Sequence, residues 1–470
     1  MSHRSYGLKS HKKWWKRRRL RLLAAAAAVV LLVGPWPVNH EGFEHASYSI
    51  ATRRRIAEQR FEPQFGQVFA GVGVAEITPP EGSPLAGYGG RKPNAAQSGG
   101  ERMFVKTLTL AAGSTSLSIV CADVLLVLPE LRHEILSRLQ LPPDEVLFTA
   151  THTHSGPGGF APGIVEQFVM GAYDPAHVRR MADAFEASIR ASRNNPQPAM
   201  IGWGQCRDAA QGFVENRIDE SFPACSTVDV LLVRKADDES VLATVVFACP
   251  HATCMGKRNL LPSRDYPGIV QDSVEEITGG ACLFAAGAVG SMQPARNGLS
   301  GMPRARNVAQ RVTHSAMVAL RDASSQAAAN AALAGRIIPV DLPPLQYRCA
   351  RWARISPVVG ELVLRGRETY IHAAVVGDRV ILGMPADYSG ELAMELAQSL
   401  SGGGPRAVVS SFNGDYIGYV IPHRRWTCDH YESRDMNMFG PWAGEYFNAL
   451  AMDIMHRMTM AQESALMPNK

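Results

Sequence analysis

The sequence predicts a single mixed α/β domain, and three observations lead there. Short apolar runs rich in β-branched residues recur along the chain, amphipathic helical patterns lie between them, and no repeat or low-complexity linker divides residues 67–463. A hydrophobic content of 46% beside 19% charged residues belongs to a globular chain, and 470 residues give ample length for a core.

The N-terminus differs from the body. Nine of the positive charges lie in residues 1–21, which hold no acid, so a chain of formal charge +5 keeps a body of net −4. A mildly acidic body argues against nucleic acid as a partner. Leu22 to Val38 is apolar and follows the basic run directly, the arrangement of a signal peptide or an uncleaved membrane anchor, and its seventeen residues just suffice to span a bilayer. The expected organisation is a basic tail (1–21), an anchor or signal segment (22–38), a juxtamembrane connector (39–66), the globular domain (67–463) and a short tail (464–470), with the domain outside the cytoplasm. Eight cysteines are compatible with disulfides there, but their spacing fixes no pairing. Cys249-Pro-His-Ala-Thr-Cys254 leaves open a structural metal knuckle around His251.

Within the domain, Gly71-Val72-Gly73 lacks the third glycine of a dinucleotide-binding fingerprint. Strands are expected at 104–110, 117–127, 145–150, 228–233, 241–249, 282–288, 371–384 and 407–411. Helices are expected at 177–191, 305–321, 390–400 and 443–460. The strand Glu145–Ala150 runs into His152-Thr-His154 and a glycine-rich loop. Residues two apart on a strand share a face, which would set the two imidazoles side by side. The structural alternative is two histidines satisfied by backbone carbonyls. His251, Asp387 and Tyr419 each follow an apolar run in the same way, where separate segments can converge on one site.

Together these stretches resemble the neutral or alkaline ceramidases, zinc amidases that cleave the amide of N-acylsphingosine. The resemblance rests on Gly71-Val-Gly-Val-Ala-Glu-Ile-Thr-Pro-Pro80, Ala122-Asp123, Ala150-Thr-His-Thr-His-Ser-Gly-Pro-Gly-Gly159, Asn216-Arg217, His251-Ala-Thr-Cys-Met255, Pro385-Ala-Asp387, Gly418-Tyr419, Tyr431-Glu432 and Phe439-Gly-Pro-Trp442. It implies zinc ligands at His152, His251, Asp387 and Tyr419, with His154, Arg217 and Tyr431 on the substrate side. In that assignment His154 assists proton transfer and Tyr431 helps to bind the developing oxyanion.

Three departures accompany the resemblance. Asp387 stands where the ceramidases carry glutamate, one methylene longer. The family's active-site serine is replaced by Gln293 in Gly290-Ser-Met-Gln-Pro294, and the immunoglobulin-like C-terminal domain is not expected in this chain. Gln293 can donate a hydrogen bond but cannot act as a nucleophile, and Ser291 lacks a Gly-x-Ser-x-Gly elbow. A zinc ion lowers the pKa of a bound water from 15.7 to about 7, so the chemistry tolerates the lost serine. The expected activity is therefore zinc-dependent hydrolysis of a ceramide-like lipid amide at a membrane. The alternatives are the same chemistry on a non-sphingoid amide or ester, and an inactive, membrane-tethered lipid-binding relative.

Overall fold

The computed structural model describes residues 7–92, 94–207, 212–363, 369–400 and 406–466. Arg4 of the basic run and the last four residues of the expected tail lie outside them. A branched twelve-stranded sheet forms the frame, and its hub is the long strand Gln64–Glu76. That strand pairs antiparallel with Phe104–Ala112, Gln197–Arg207 and Asn330–Val340, so three arms leave it. The first arm ends in Val146–Ala150, the second in Ala281–Ala286 and the third in Arg406–Ser411. Each of these terminal strands runs parallel to its neighbour in the arm.

The three terminal strands come together. Thr149 Oγ1 donates to the Ser411 carbonyl (3.2 Å), Ser410 Oγ donates to Thr149 Oγ1 (2.9 Å), and Ser411 Oγ donates to the Gly287 carbonyl (2.7 Å). Leu147, Val245, Leu283, Ile381 and Val408 fill the space between the arms. The loops that leave these strand ends therefore open onto one region.

Helices cover the outer faces, and paired glycines set how closely they lie. Pro175–Asn194 crosses the hub strand over Gly71 and Gly73, where a methyl group would stand 2.2 Å from the Ser192 carbonyl oxygen and 1.9 Å from that of Ser188. Gly202 and Gly204 play the same part beneath Gly301–Ser325, at 2.0 and 1.8 Å from the carbonyl oxygens of Ala323 and Ala319. The incomplete dinucleotide fingerprint is thus a helix-packing device.

Most expected elements appear, with differences that have local causes. The run 371–384 is two strands, Thr369–Val376 and Arg379–Met384, joined by a tight turn at Gly377-Asp378 with Gly377 at φ 62°. Helices Pro129–Leu139 and Asp265–Thr278 and strands Gln197–Arg207 and Asn330–Val340 were not expected. The 39–66 segment, expected as a juxtamembrane connector, packs on the domain. It carries helix Ser47–Glu58, whose Thr52 and Ile56 are buried and which lies against the C-terminal helix Ala443–Leu466.

The fold does not show the expected N-terminal anchor. Helix Gly7–Leu32 contains the basic run, and only Leu22–Leu32 of it is apolar, about 16 Å of helix against a hydrocarbon core of about 30 Å. No described helix is long and apolar enough to cross a membrane. Leu22–Val38 is not one continuous element either, because Trp36–Pro37 pairs with Ala353–Arg354 of the domain.

Candidate metal centre

Four chain segments deliver their side chains to one buried point. His152 stands two residues beyond the strand Val146–Ala150, and His251 three beyond Val241–Ala248. Asp387 and Tyr419 face each other in a short parallel pair of two-residue strands. His152, His251 and Asp387 are at most 3% exposed, and Tyr419 is 7% exposed.

The imidazoles share one hydrogen-bonding pattern. His152 Nδ1 lies 2.7 Å from the Leu125 carbonyl oxygen, His154 Nδ1 2.7 Å from that of Gly87, and His251 Nδ1 2.7 Å from that of Val289 and 3.1 Å from that of Met292. A carbonyl only accepts, so each Nδ1 carries the proton and each Nε2 presents a lone pair. His152 Nε2 and His154 Nε2 are 3.2 Å apart. Asp387 Oδ1 stands 3.0 Å from His251 Nε2 and 3.5 Å from His152 Nε2, and Tyr419 Oη stands 3.1 Å from His251 Nε2.

Burial keeps the three rings neutral. It pushes His152 down to about 3 against a partial counter-effect from Asp387, and it holds His154 and His251 well below the ordinary histidine range. Burial raises Asp387, while His152 and the hydroxyl of Tyr416 act in the opposite direction. Asp387 Oδ2 accepts from Tyr416 Oη (2.7 Å), but Oδ1 is buried without a hydrogen-bond partner. Facing lone pairs beside an orphaned carboxylate oxygen suit a divalent cation, and His152, His154 and His251 are within mutual reach of one ion. Nitrogen and oxygen donors of this kind are those that zinc takes.

Around this point lie the remaining predicted groups. Arg217 Nη2 is 2.9 Å from both His251 Nε2 and Tyr419 Oη, and its Nε pairs with the buried Glu432. Burial works against the Arg217 charge, and Glu432 with the nearby phenols more than restores it. Tyr431 Oη is 3.4 Å from Tyr419 Oη, and burial moves this phenol up to about 12. The Tyr431 side chain is still 38% exposed, which places it at the mouth.

Gln293 is not brought into this group. The ladder between Met292–Pro294 and Val214–Asn216 sets Gln293 opposite Glu215, and its amide donates to that carboxylate (3.2 Å). The backbone carbonyl of Met292, not the side chain of Gln293, reaches His251. The cysteine knuckle does not assemble either, since Cys249 Sγ lies against Cys225 while His251 turns to the cluster.

Sequence reasoning missed several supports. Phe412 stacks on His152 with centroids 4.2 Å apart, and both residues hold left-handed backbones, φ 66° and 60°. His152 therefore reaches the cluster through a sharp backbone reversal and not by strand alternation. Tyr416 was visible as the tyrosine three residues before Tyr419, but nothing local marks it as the partner of Asp387. Gly87 holds His154 closely, since a methyl group there would sit 2.5 Å from the His154 Cα.

Fold and site together define a mixed α/β domain with a histidine-rich candidate metal site in the region where the three arms of the sheet meet. Residues 69–298 match the neutral/alkaline non-lysosomal ceramidase family, N-terminal domain. The chain is similar to the neutral ceramidase of Mycobacterium tuberculosis, 27% identical over 234 residues that cover 46% of this chain and 37% of the relative. The chain thus aligns with little more than a third of that curated relative. The crystal structure of neutral ceramidase from Pseudomonas aeruginosa superposes with a TM-score of 0.71 at 18% identity, covering 83% of this chain and 75% of that one. A ceramidase complexed with C2 superposes with a TM-score of 0.70 at 17% identity and the same coverage. These two likenesses establish the fold.

Proposed function

We propose that the protein is a zinc-dependent amidohydrolase that cleaves the amide bond of ceramide-like N-acyl lipids. The observation that carries this reading is the approach of the neutral His152 and His251 Nε2 atoms to the orphaned Oδ1 of Asp387, with His154 within mutual reach of one ion beside these two imidazoles. His152, His251, Asp387 and Tyr419 would hold the ion, which when bound supplies an activated water at neutral pH and polarises the amide carbonyl.

The protein's own groups perform the rest. His154, fixed through Nδ1 by Gly87, keeps Nε2 free to take a proton and later return it to the leaving amine. Arg217, held by Glu432, and the Tyr431 hydroxyl present donors to charge developing on the amide oxygen. A lipid substrate is supported by the short helix Ile164–Met170 beside the loop that grips His154. There the Gly87 and Gly90 amides donate to the carbonyls of Val169 and Phe168, while the Ile164 and Phe168 side chains are 88% and 67% exposed.

A second reading, the same chemistry on a non-sphingoid amide or ester, is favoured by Gln293, which points to Glu215 where the ceramidases carry serine. An extracytoplasmic location belongs to the proposal and is supported by the basic run preceding Leu22–Leu32.

The test is elemental analysis of the purified chain together with kcat/KM over acylated sphingoid bases, acyl amino acids and simple esters. One equivalent of zinc, lost with activity in His152→Ala, is expected. Folded protein that takes up no metal would overturn the hydrolase reading, and equal kcat/KM across the panel would overturn ceramide as the substrate.

A further inference from the structure

We propose that Cys225 and Cys249 form a disulfide in the mature protein, clamping the segment that carries Arg217 to the strand that delivers His251. Cys225 lies in the connection between Val214–Asn216 and Thr227–Lys235, eight residues past Arg217. Cys249 follows Val241–Ala248 directly and precedes His251 by two residues. The two strands are antiparallel neighbours with Val228 opposite Ala248, so both cysteines sit at the same open end of this hairpin.

Their Sγ atoms are 2.9 Å apart, about 0.9 Å more than the roughly 2.05 Å of a covalent bond. Both side chains are buried, at 3% and 5% exposure. Among the described residues no other two thiols are hydrogen-bonded to each other. Among the described residues the one other acceptor recorded for Cys249 is the Thr227 carbonyl at 4.0 Å. Cys225 packs with Met292, its amide 3.1 Å from that sulfur, and the Met292 carbonyl is one of the two that accept from His251.

Burial of both sulfurs means that the bond forms while the chain folds. The oxidant is a disulfide-bearing donor, either oxidised glutathione or a thiol oxidoreductase of an oxidising compartment. The thiolate of one cysteine attacks the donor disulfide and expels one donor thiol, giving a mixed disulfide. The second cysteine thiolate then displaces the remaining donor thiol. Two protein thiols lose two electrons and two protons, and the donor disulfide becomes two thiols. The closed loop holds the two-stranded hairpin Thr227–Ala248, and the clamp lies between the two residues, Arg217 and His251, that meet at 2.9 Å in the centre. This proposal does not depend on which substrate the centre accepts.

The test uses the full chain exported into an oxidising compartment, or refolded in a glutathione redox buffer, then denatured in an alkylating agent without reductant. Peptide mapping is expected to find Cys225 joined to Cys249 and six of the eight cysteines alkylated. Eight alkylated cysteines, or either residue joined to a different one, would overturn the proposal. As a second measurement, a phosphine reductant is expected to lower the thermal midpoint of the natural protein by about 5 °C. It should leave the Cys225→Ala/Cys249→Ala double variant unchanged, and an equal response in both proteins would count against the bond.

Discussion

At the scale of single residues, the centre depends on groups that orient the donors as much as on the donors themselves. Tyr416 fixes the Asp387 carboxylate through Oδ2 and so aims Oδ1 at the imidazoles. Tyr416→Phe removes that hydrogen bond while keeping the ring, and the expected outcome is metal affinity about 10- to 100-fold weaker with the fold intact. Competition with a chromogenic chelator measures this, and unchanged affinity would show that packing alone holds Asp387. The donors were noticeable as polar groups that follow apolar runs, but they were named as one set only through the resemblance to the ceramidases. Their supports were not noticeable, because the acceptors are backbone carbonyls of Leu125, Gly87, Val289 and Met292, and a carbonyl has no sequence signature. Gln293 shows the opposite limit. Its place in the motif was visible, whereas its direction was decided by pairing with a strand 78 residues away.

At the scale of elements, two glycine pairs set the distance between sheet and helices. A methyl group at Gly73 or Gly204 would collide with a helix carbonyl oxygen, and backbone cannot step aside as a side-chain tip can. Gly73→Ala and Gly204→Ala are each expected to destabilise the protein by about 3 kcal/mol, read from urea midpoints. Gly82→Ala is the control: its own φ of 81° strains alanine, but no atom lies within 4 Å of the new methyl, so a smaller loss is expected. Strands of five to nine apolar residues were readable because their composition is local. The strand Gln197–Arg207 was not, since its glycines make sense only once Gly301–Ser325 lies across them. Helix Asp265–Thr278 was obscured by Pro267 and Gly268 in its first turn.

At the scale of the whole molecule, stability should respond to pH through Asp229, which is not one of the groups gathered at the centre. Burial on the strand Thr227–Lys235 raises this carboxyl from 3.8 to about 6, partly opposed by Gln205 and by Arg379. The folded protein then binds a proton that the unfolded chain has lost over roughly pH 4–6, so stability falls as pH rises through that window. Asp229→Asn is expected to flatten this slope and to raise stability at pH 7 by up to about 3 kcal/mol. Denaturant unfolding at several pH values tests it, and an unaltered slope would place the proton elsewhere.

The meeting of the three terminal strands has a consequence of another kind. A sheet that branches from one hub ought to end in three bare margins, each a template on which a neighbouring chain could add a strand and start an aggregate. Here the end strands are drawn together instead, Val146–Ala150 to Arg406–Ser411 through Thr149 and Ser410, and Arg406–Ser411 to the loop after Ala281–Ala286 through Ser411 and Gly287. The junction that assembles the reactive groups therefore also protects the molecule from sticking to copies of itself.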